Sequence, residues 1–235
     1  MKAFLLAAGV GSRLRPLTDR IPKCLVPIGG VPLLGIWLEL LRRAGATEAL
    51  VNTHHLPEAV RSYVAAGPVP GIQVTLFHEP TLLGSAGTVW ANREFVRGAG
   101  EFLVIYADNL TNMNLRGLLD FHRQKNAFFT MGLFATATPT QCGIAECGDD
   151  GRIRTFVEKP ARPAGRLANA GLYVADERLF DLAPAAPFMD FGFDVLPLLA
   201  GRMYGYLIPG YYQDIGTPER LDEARRAWPG LDAAC

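Results

Sequence analysis

The chain has 235 residues, long enough for one large core, and its 23 basic and 23 acidic residues balance to a formal charge of zero. No global field draws such a protein to nucleic acid or to an anionic membrane, so any phosphate affinity must be local. No apolar run approaches the roughly 20 residues that span a bilayer, and Lys2 leads into a strand rather than a signal-peptide pattern, so a cytoplasmic protein is expected.

The first element is an apolar run, Leu5-Leu6-Ala7-Ala8, that gives way abruptly to Gly9-Val10-Gly11-Ser12-Arg13-Leu14. It reads as a buried strand ending in a tight turn whose main-chain N–H groups can approach an anion, because glycine tolerates the angles such a cradle needs. Arg13 adds a planar fork of donors and Lys23 a compact point charge, a combination suited to a triphosphate. Neither familiar phosphate motif fits: the dinucleotide fingerprint wants glycine where Leu14 stands, and no G-K-[S/T] follows. Taken alone, the spacing suits an ordinary strand-to-loop turn with a solvated arginine equally well.

Pro32 then opens a helix in which Leu33, Leu34, Trp37, Leu40 and Leu41 recur at three- and four-residue spacings, ending at Arg42, Arg43 and Gly45. Ala49 to Asn52 reads as a strand, Pro57 to Ala66 as a helix and Ile72 to Phe77 as an alternating strand. Strand and helix alternating in this way predict a parallel, doubly wound sheet. His54 and His55 follow the second strand but point in different directions without a third ligand, so they read as surface histidines. Leu83-Gly84-Ser85-Ala86-Gly87-Thr88 opens the next helix, with Ser85 as its expected N-cap.

Phe102 to Asn109 is a continuous apolar strand ending in Asp108. A carboxylate there sits where open parallel sheets bind ligands and is an oxygen donor of the kind Mg2+ prefers, an N-cap or loop role being the lesser alternative. A helix from Leu115 to Lys125 and an apolar strand through Phe128, Met131 and Phe134 follow. The rest is richer in strands: Gly143 to Glu146, Arg152 to Glu158 and Ala168 to Val174, with a hairpin turn at Gly148 to Gly151 and a turn or lid at Lys159 to Pro163. Thr217 caps a last helix with Pro218 at its first position. Cys24, Cys142, Cys147 and Cys235 lack paired spacing and read as reduced thiols.

Five stretches in this order resemble the sugar-1-phosphate nucleotidyltransferases, the NDP-sugar pyrophosphorylases: Leu6-Ala7-Ala8-Gly9-x-Gly11-Ser12-Arg13 with Pro22-Lys23; Leu83-Gly84-Ser85-Ala86-Gly87; Ala107-Asp108-Asn109; Glu158-Lys159-Pro160 with Asn169-Ala170-Gly171-x-Tyr173; and Asp214-Ile215-Gly216-Thr217-Pro218. The chain departs from the family pattern at Ala107, where glycine is usual, and at Tyr212, where tryptophan is usual. The resemblance implies a Rossmann-like α/β fold, a doubly wound mostly parallel sheet with an added strand-rich part, in one domain spanning 1–235. Residues 1–110 would form a nucleotide-binding half and 111–235 a sugar-phosphate-binding half.

The same resemblance implies roles. Leu6, Ala8, Gly9, Gly11, Ser12, Glu79, Gly84 and Gly87 would hold a nucleoside triphosphate, with Arg13 and Lys23 on its phosphates. Asn109, Gly143, Glu158, Lys159 and Asn169 would hold a sugar 1-phosphate, and Asp108 and Asp214 a Mg2+ ion. The sugar phosphate would attack the α-phosphorus and expel pyrophosphate, Arg13, Lys23 and Lys159 acting in catalysis. Glu79 and the Leu83 to Gly87 segment favour GTP with mannose 1-phosphate. Uridylyl or thymidylyl transfer to another sugar phosphate, and an inactive nucleotide-sugar-sensing relative, are the alternatives. Neither nucleic acid nor membrane is an expected partner, and a homo-oligomer is left open. Many relatives continue into a hexapeptide-repeat β-helix; nothing like it follows Pro218, so no fused acetyltransferase is expected.

Overall fold

A computed structural model describes residues 1–182 and 185–233; Cys235 lies outside the described residues. In chain order the elements are β1 (Lys2–Leu6), a small hairpin of β2 (Pro27–Ile28) and β3 (Val31–Pro32), α1 (Leu33–Arg43), β4 (Glu48–Thr53), α2 (Pro57–Ala65), β5 (Gln73–His78) and α3 (Ser85–Ala91). Then come β6 (Glu101–Tyr106), β7 (Asn109–Thr111), α4 (Leu115–Gln124), β8 (Phe129–Ala135), β9 (Gly143–Cys147), β10 (Ile153–Glu158), β11 (Leu167–Asp176), β12 (Tyr204–Leu207), β13 (Tyr212–Asp214) and α5 (Pro218–Ala227). No helix among the described residues is long and apolar enough to cross a membrane.

Two compact units interleave along the chain. The first takes Met1–Leu82, Ile105–Leu115 and the described residues from Pro209. Its strands β1, β4 and β5 pair in parallel, with Leu6 opposite Asn52 and Asn52 opposite Phe77, so all three point their carboxyl ends the same way. The doubly wound α/β arrangement is therefore realised here, with α1 and α2 as the connections. Helix α1 is buried on nearly every side, Leu33, Leu34, Trp37, Leu38 and Leu41 all lacking solvent exposure. Burying each such leucine contributes about 2 kcal/mol. Arg42 and Arg43 complement the dipole of its last turn, and Gly45 at φ +87° lets the chain leave it.

Two connections in this unit position chemistry. The indole N–H of Trp37 donates to the carbonyl of Asn109 (2.8 Å), fixing the turn that carries Asp108 against α1. Strand β13 pairs antiparallel with β7, Asp214 lying opposite Asn109, so three residue pairs bring two aspartates together from 106 residues apart in sequence.

The second unit, Leu83–Val104 and Arg116–Ile208, is the strand-rich part. Here β9 and β10 form an antiparallel hairpin, β11 runs antiparallel to β8 and β9, and β12 lies parallel to β8. The β11–β8 register slips between Asn169 and Tyr173, where Gly171 adopts φ +64°, so Asn169-Ala170-Gly171-Leu172-Tyr173 forms a bulge that re-aims side chains.

Most expected elements form, with ends displaced by one or two residues. The continuous strand expected from Phe102 to Asn109 is instead broken: β6 ends at Tyr106, Ala107 and Asp108 form a turn, and Asn109 opens β7 in another sheet. Two further local expectations fail. Ser85 does not cap α3: Gly84, at φ +79°, holds that position, and the Ser85 hydroxyl instead donates to Asp190 Oδ2 (2.9 Å) and accepts from Phe191 N (2.9 Å). His54 and His55 are half-buried rather than free at the surface, donating from Nδ1 and Nε2 to the carbonyls of Glu79 and Thr18, both at 2.7 Å. A carbonyl only accepts, so each of those ring nitrogens carries the proton. Cys24, Cys142 and Cys147 are free thiols, and burial pushes Cys24 up to about 12.

Candidate active site

The site of the first unit is built on one buried amide. Asn52, at the end of β4, accepts from Ala7 N (2.6 Å) and Ala8 N (3.2 Å) through Oδ1 and donates through Nδ2 to Glu79 Oε1 (2.8 Å). One side chain thus ties together the ends of β1, β4 and β5. Beyond Ala8 the chain opens: a Cβ on Gly9 would meet nothing within 4 Å, leaving room for a ligand to approach the backbone. Gly11 has a steric reason to be glycine, because its φ is +66° and a Cβ would press on Thr18 Cγ2 at 2.8 Å. Thr18 Oγ1 also donates to Gly11 O (2.8 Å), closing the turn. Ser12 and Arg13 are exposed on it, and Leu6 is half-buried behind it.

Lys23 is 6 % exposed, and its Nζ donates to Asp108 Oδ2 at 2.8 Å while lying 3.9 Å from Asp214 Oδ1. An ammonium removed from water in this way needs both carboxylates to offset its desolvation. Asp214 is held in turn by Arg220 through Oδ2 and by Gly216 N through Oδ1 (2.7 Å). Gly216 is small because a Cβ there would meet Arg13 Nη2 and Asp214 Oδ1, each at 2.8 Å. The Arg13 guanidinium therefore packs against the turn that carries Asp214. Structure brings Arg13, Lys23, Asp108 and Asp214 into one cluster, and Asn109 adjoins it, buried, with its carbonyl on Trp37.

Such a cluster fits a divalent cation in donor chemistry: two carboxylates already converge on one positive group, and both offer the hard oxygens Mg2+ takes. No further acid, histidine or cysteine joins them into a larger metal-binding group among the described residues. Glu79, expected at the edge of a base, is 1 % exposed and has Oε1 committed to Asn52.

The second unit holds a cluster of its own. Gly143 pairs with Glu158 across the β9–β10 hairpin, and the Glu158 carboxylate occupies the space a Cβ would need at both Gly143 and Gly192. Burial raises the Glu158 pKa above the ordinary carboxylate range, Lys159 opposes that shift and Asp190 adds to it. Lys159, at φ +46°, is anchored by its N–H on Cys142 O (3.1 Å), and its Nζ stands 3.9 Å from Glu158 Oε1 and 5.7 Å from the centre of the Phe193 ring. Asp190 Oδ1 accepts from Gly192 N (2.8 Å) and Phe193 N (3.3 Å), which fixes that ring's segment. Asn169 spends Nδ2 on the Tyr173 hydroxyl (2.8 Å) and Oδ1 on Gly171 N (2.9 Å) within its bulge. Gly84 and Gly87 pack on the Met189 backbone, whose carbonyl accepts from Ala86 N (2.9 Å) and Gly87 N (3.0 Å).

Three participants escaped the sequence reading. Asn52 ends an apolar strand, where a buried amide needs a partner. Arg220 is a cation in the first turn of a helix, where the dipole disfavours it unless a carboxylate compensates. Asp190 stands two residues before Gly192, the spacing of an Asx turn. Each signal is visible, but the partner it serves is far away in sequence.

A parallel sheet with a glycine turn, a buried lysine and paired aspartates at its carboxyl end defines an α/β protein with a charged site at its strand ends. Residues 2–229 match the family model for Nucleotidyl transferase, and the chain belongs to that family. It is 34 % identical over 215 residues to the UTP–glucose-1-phosphate uridylyltransferase of Synechocystis sp., covering 85 % of this chain and 55 % of that protein. It is 31 % identical over 221 residues to the mannose-1-phosphate guanylyltransferase of Mycobacterium tuberculosis, covering 92 % and 61 %. The chain thus spans a little over half the length of these relatives. A structure from Bacillus anthracis, described as a candidate glucose-1-phosphate thymidylyltransferase in complex with sucrose, superposes with a TM-score of 0.85 at 25 % identity, covering all of this chain and 97 % of that one. HddC from Yersinia pseudotuberculosis shares the fold at a TM-score of 0.80 and 23 % identity, covering 97 % and 99 %.

Proposed function

We propose that the chain transfers a nucleotidyl group from a nucleoside triphosphate to a sugar 1-phosphate, giving an NDP-sugar and pyrophosphate. The observation that carries this reading is the cluster in which Lys23 lies between Asp108 and Asp214 beside Arg13. Uncompensated, two unit charges of like sign 4 Å apart repel by roughly 4 kcal/mol at an effective dielectric of about 20, and two phosphates must meet in this reaction. Arg13 and Lys23 take the triphosphate over the open Gly9 backbone, with Leu6, Ala8, Gly11 and Ser12 shaping the turn; Gly84 and Gly87 serve the same nucleotide. Lys159 takes the sugar phosphate, and Gly143, Glu158, Asn109 and Asn169 the sugar. The attacking phosphate oxygen is already ionised, so positioning and charge neutralisation suffice and no general base is needed. Asp108 and Asp214 would hold Mg2+, which supplies charge neutralisation on the phosphate oxygens when bound.

Nucleotide handling falls to residues 1–110 and sugar handling to 111–235, apart from Asn109 on the sugar and Asp214 on the metal. GTP with mannose 1-phosphate is the pair favoured here, on the Leu83-Gly84-Ser85-Ala86-Gly87 segment. Glu79 adds less, since its Oε1 serves Asn52, and the uridylyl and guanylyl relatives are similar in identity. Pyrophosphate release measured for GTP, UTP, dTTP, CTP and ATP against mannose, glucose and related sugar 1-phosphates tests the reading. Turnover highest with GTP and mannose 1-phosphate supports it in full. Preference for UTP or dTTP replaces the substrates and keeps the reaction, and no turnover with any pair favours a sensing relative without catalysis.

A further inference from the structure

A cleft of about 350 Å3 opens in the second unit where α4 ends and the strands β8, β10, β11 and β12 begin or finish. Half of its eight lining residues are cations, Lys125, Arg152, Arg178 and Arg202, and two more are the rings of Phe128 and Tyr204. The sheet register brings them together: Tyr204 pairs with Thr130 at the start of β8 and bridges to Arg152, while Val174 and Ala175 at the end of β11 pair with Thr130 and Phe129.

Each ring carries two cations. Arg152 Cζ lies 4.7 Å and Lys125 Nζ 5.6 Å from the centre of Tyr204; Arg202 Cζ lies 5.2 Å and Arg178 Cζ 5.5 Å from that of Phe128. Cation–π contact holds them in place against their mutual repulsion. Among the described residues two acids answer the four charges: Asp150, 3.7 Å from Arg152, and Asp176, which holds Arg178 through both carboxylate oxygens at 2.8 and 3.0 Å. Lys125 donates to the carbonyl of Asp150 (3.0 Å), and Arg202 has no acidic partner among the described residues. The cleft therefore gathers like charge that its own acids leave uncompensated.

We infer that this cleft binds a small molecule carrying two phosphate-type negative charges. Its volume lies at the low end of ligand cavities, too small for a folded partner to enter. Both rings are engaged by cations, so recognition runs through charge rather than through stacking of a base. Bidentate guanidinium contacts suit phosphoryl oxygens. The site is separate from the Glu158–Lys159 cluster, because Arg152 immediately precedes β10 and Glu158 ends it, roughly 20 Å apart at about 3.3 Å per residue.

Calorimetric titration of the full chain with methylenediphosphonate tests the assignment, and Lys23→Ala separates it from binding at the first-unit cluster. Arg202→Glu and Arg178→Gln, both at exposed side chains, are each expected to weaken binding about tenfold or more, while Lys23→Ala retains the binding event that those substitutions weaken. Added salt should weaken that event steeply. Wild-type titration by both arginine variants overturns the inference, as does loss of all binding in Lys23→Ala. A response only to a long single-stranded oligonucleotide, with none to methylenediphosphonate, also overturns it and points to a macromolecular polyanion.

Discussion

The two charged clusters handle their cations in opposite ways. In the first unit Lys23 is almost wholly buried and each of its charges is answered, the ammonium by Asp108 and Asp214 and Asp214 in turn by Arg220. In the second, Lys159 is more than half exposed on a left-handed backbone, beside a Glu158 whose burial already disfavours its charge. A closed ionic network is rigid, since removing one member strands another in a poor solvent. An exposed lysine over a ring costs little to displace, which suits a group that must meet an incoming anion.

The largest effect separating the two is expected at Asp108→Asn. It keeps the shape of the turn and removes one of the two charges facing Lys23, so turnover should fall by orders of magnitude at limiting Mg2+; near wild-type turnover there would remove Asp108 from the mechanism. Next comes Asn52→Ala, which strands the N–H groups of Ala7 and Ala8 and takes away the donor to Glu79. At about 1–3 kcal/mol for each buried group left unsatisfied, urea denaturation should report a loss of about 3 kcal/mol. An unchanged midpoint would mean that the three strand ends do not depend on this amide.

Substrate use should divide between the clusters. Arg13→Ala is expected to lower kcat/KM for the triphosphate by tens of fold and Lys159→Ala to do the same for the sugar phosphate, each with the other substrate saturating. Equal losses on both axes from either variant would merge the clusters into one functional group. The smallest effect is Glu158→Gln. The Glu158 pKa is raised in the folded state, so its ionised form opposes folding once pH climbs through that raised value, and this cost is absent below the ordinary carboxylate range. The glutamine variant should therefore melt slightly higher than wild type near neutral pH, with the gap closing towards pH 4; a gap that widened on acidification would reverse the assigned sign.

Local pattern made most of the fold legible. The apolar spacing of Leu33 to Leu41 and the Thr217-Pro218 cap are decided within a few residues of themselves, and both elements form as expected. Asp108 and Asp214 could each be read as strand-end carboxylates, but nothing in either stretch says that β13 pairs with β7 and sets them side by side. Ser85 was misjudged for the same reason: a serine before an apolar helix looks like a cap until Asp190, 105 residues away, takes its hydroxyl. Asn52 and Glu79 are likewise defined by each other. Side chains whose partner is distant in sequence are the ones the pattern does not reach.

The most direct test of the central claim follows the α-phosphate itself. Wild-type protein incubated with Mg2+, sugar 1-phosphate and a nucleoside triphosphate labelled at the α-phosphorus should place the label in an NDP-sugar, with one pyrophosphate released per label transferred and loss of the transfer in Asp214→Asn. Label that stayed in the triphosphate with every sugar phosphate, or that appeared only as the nucleoside monophosphate, would contradict nucleotidyl transfer as the activity of this chain.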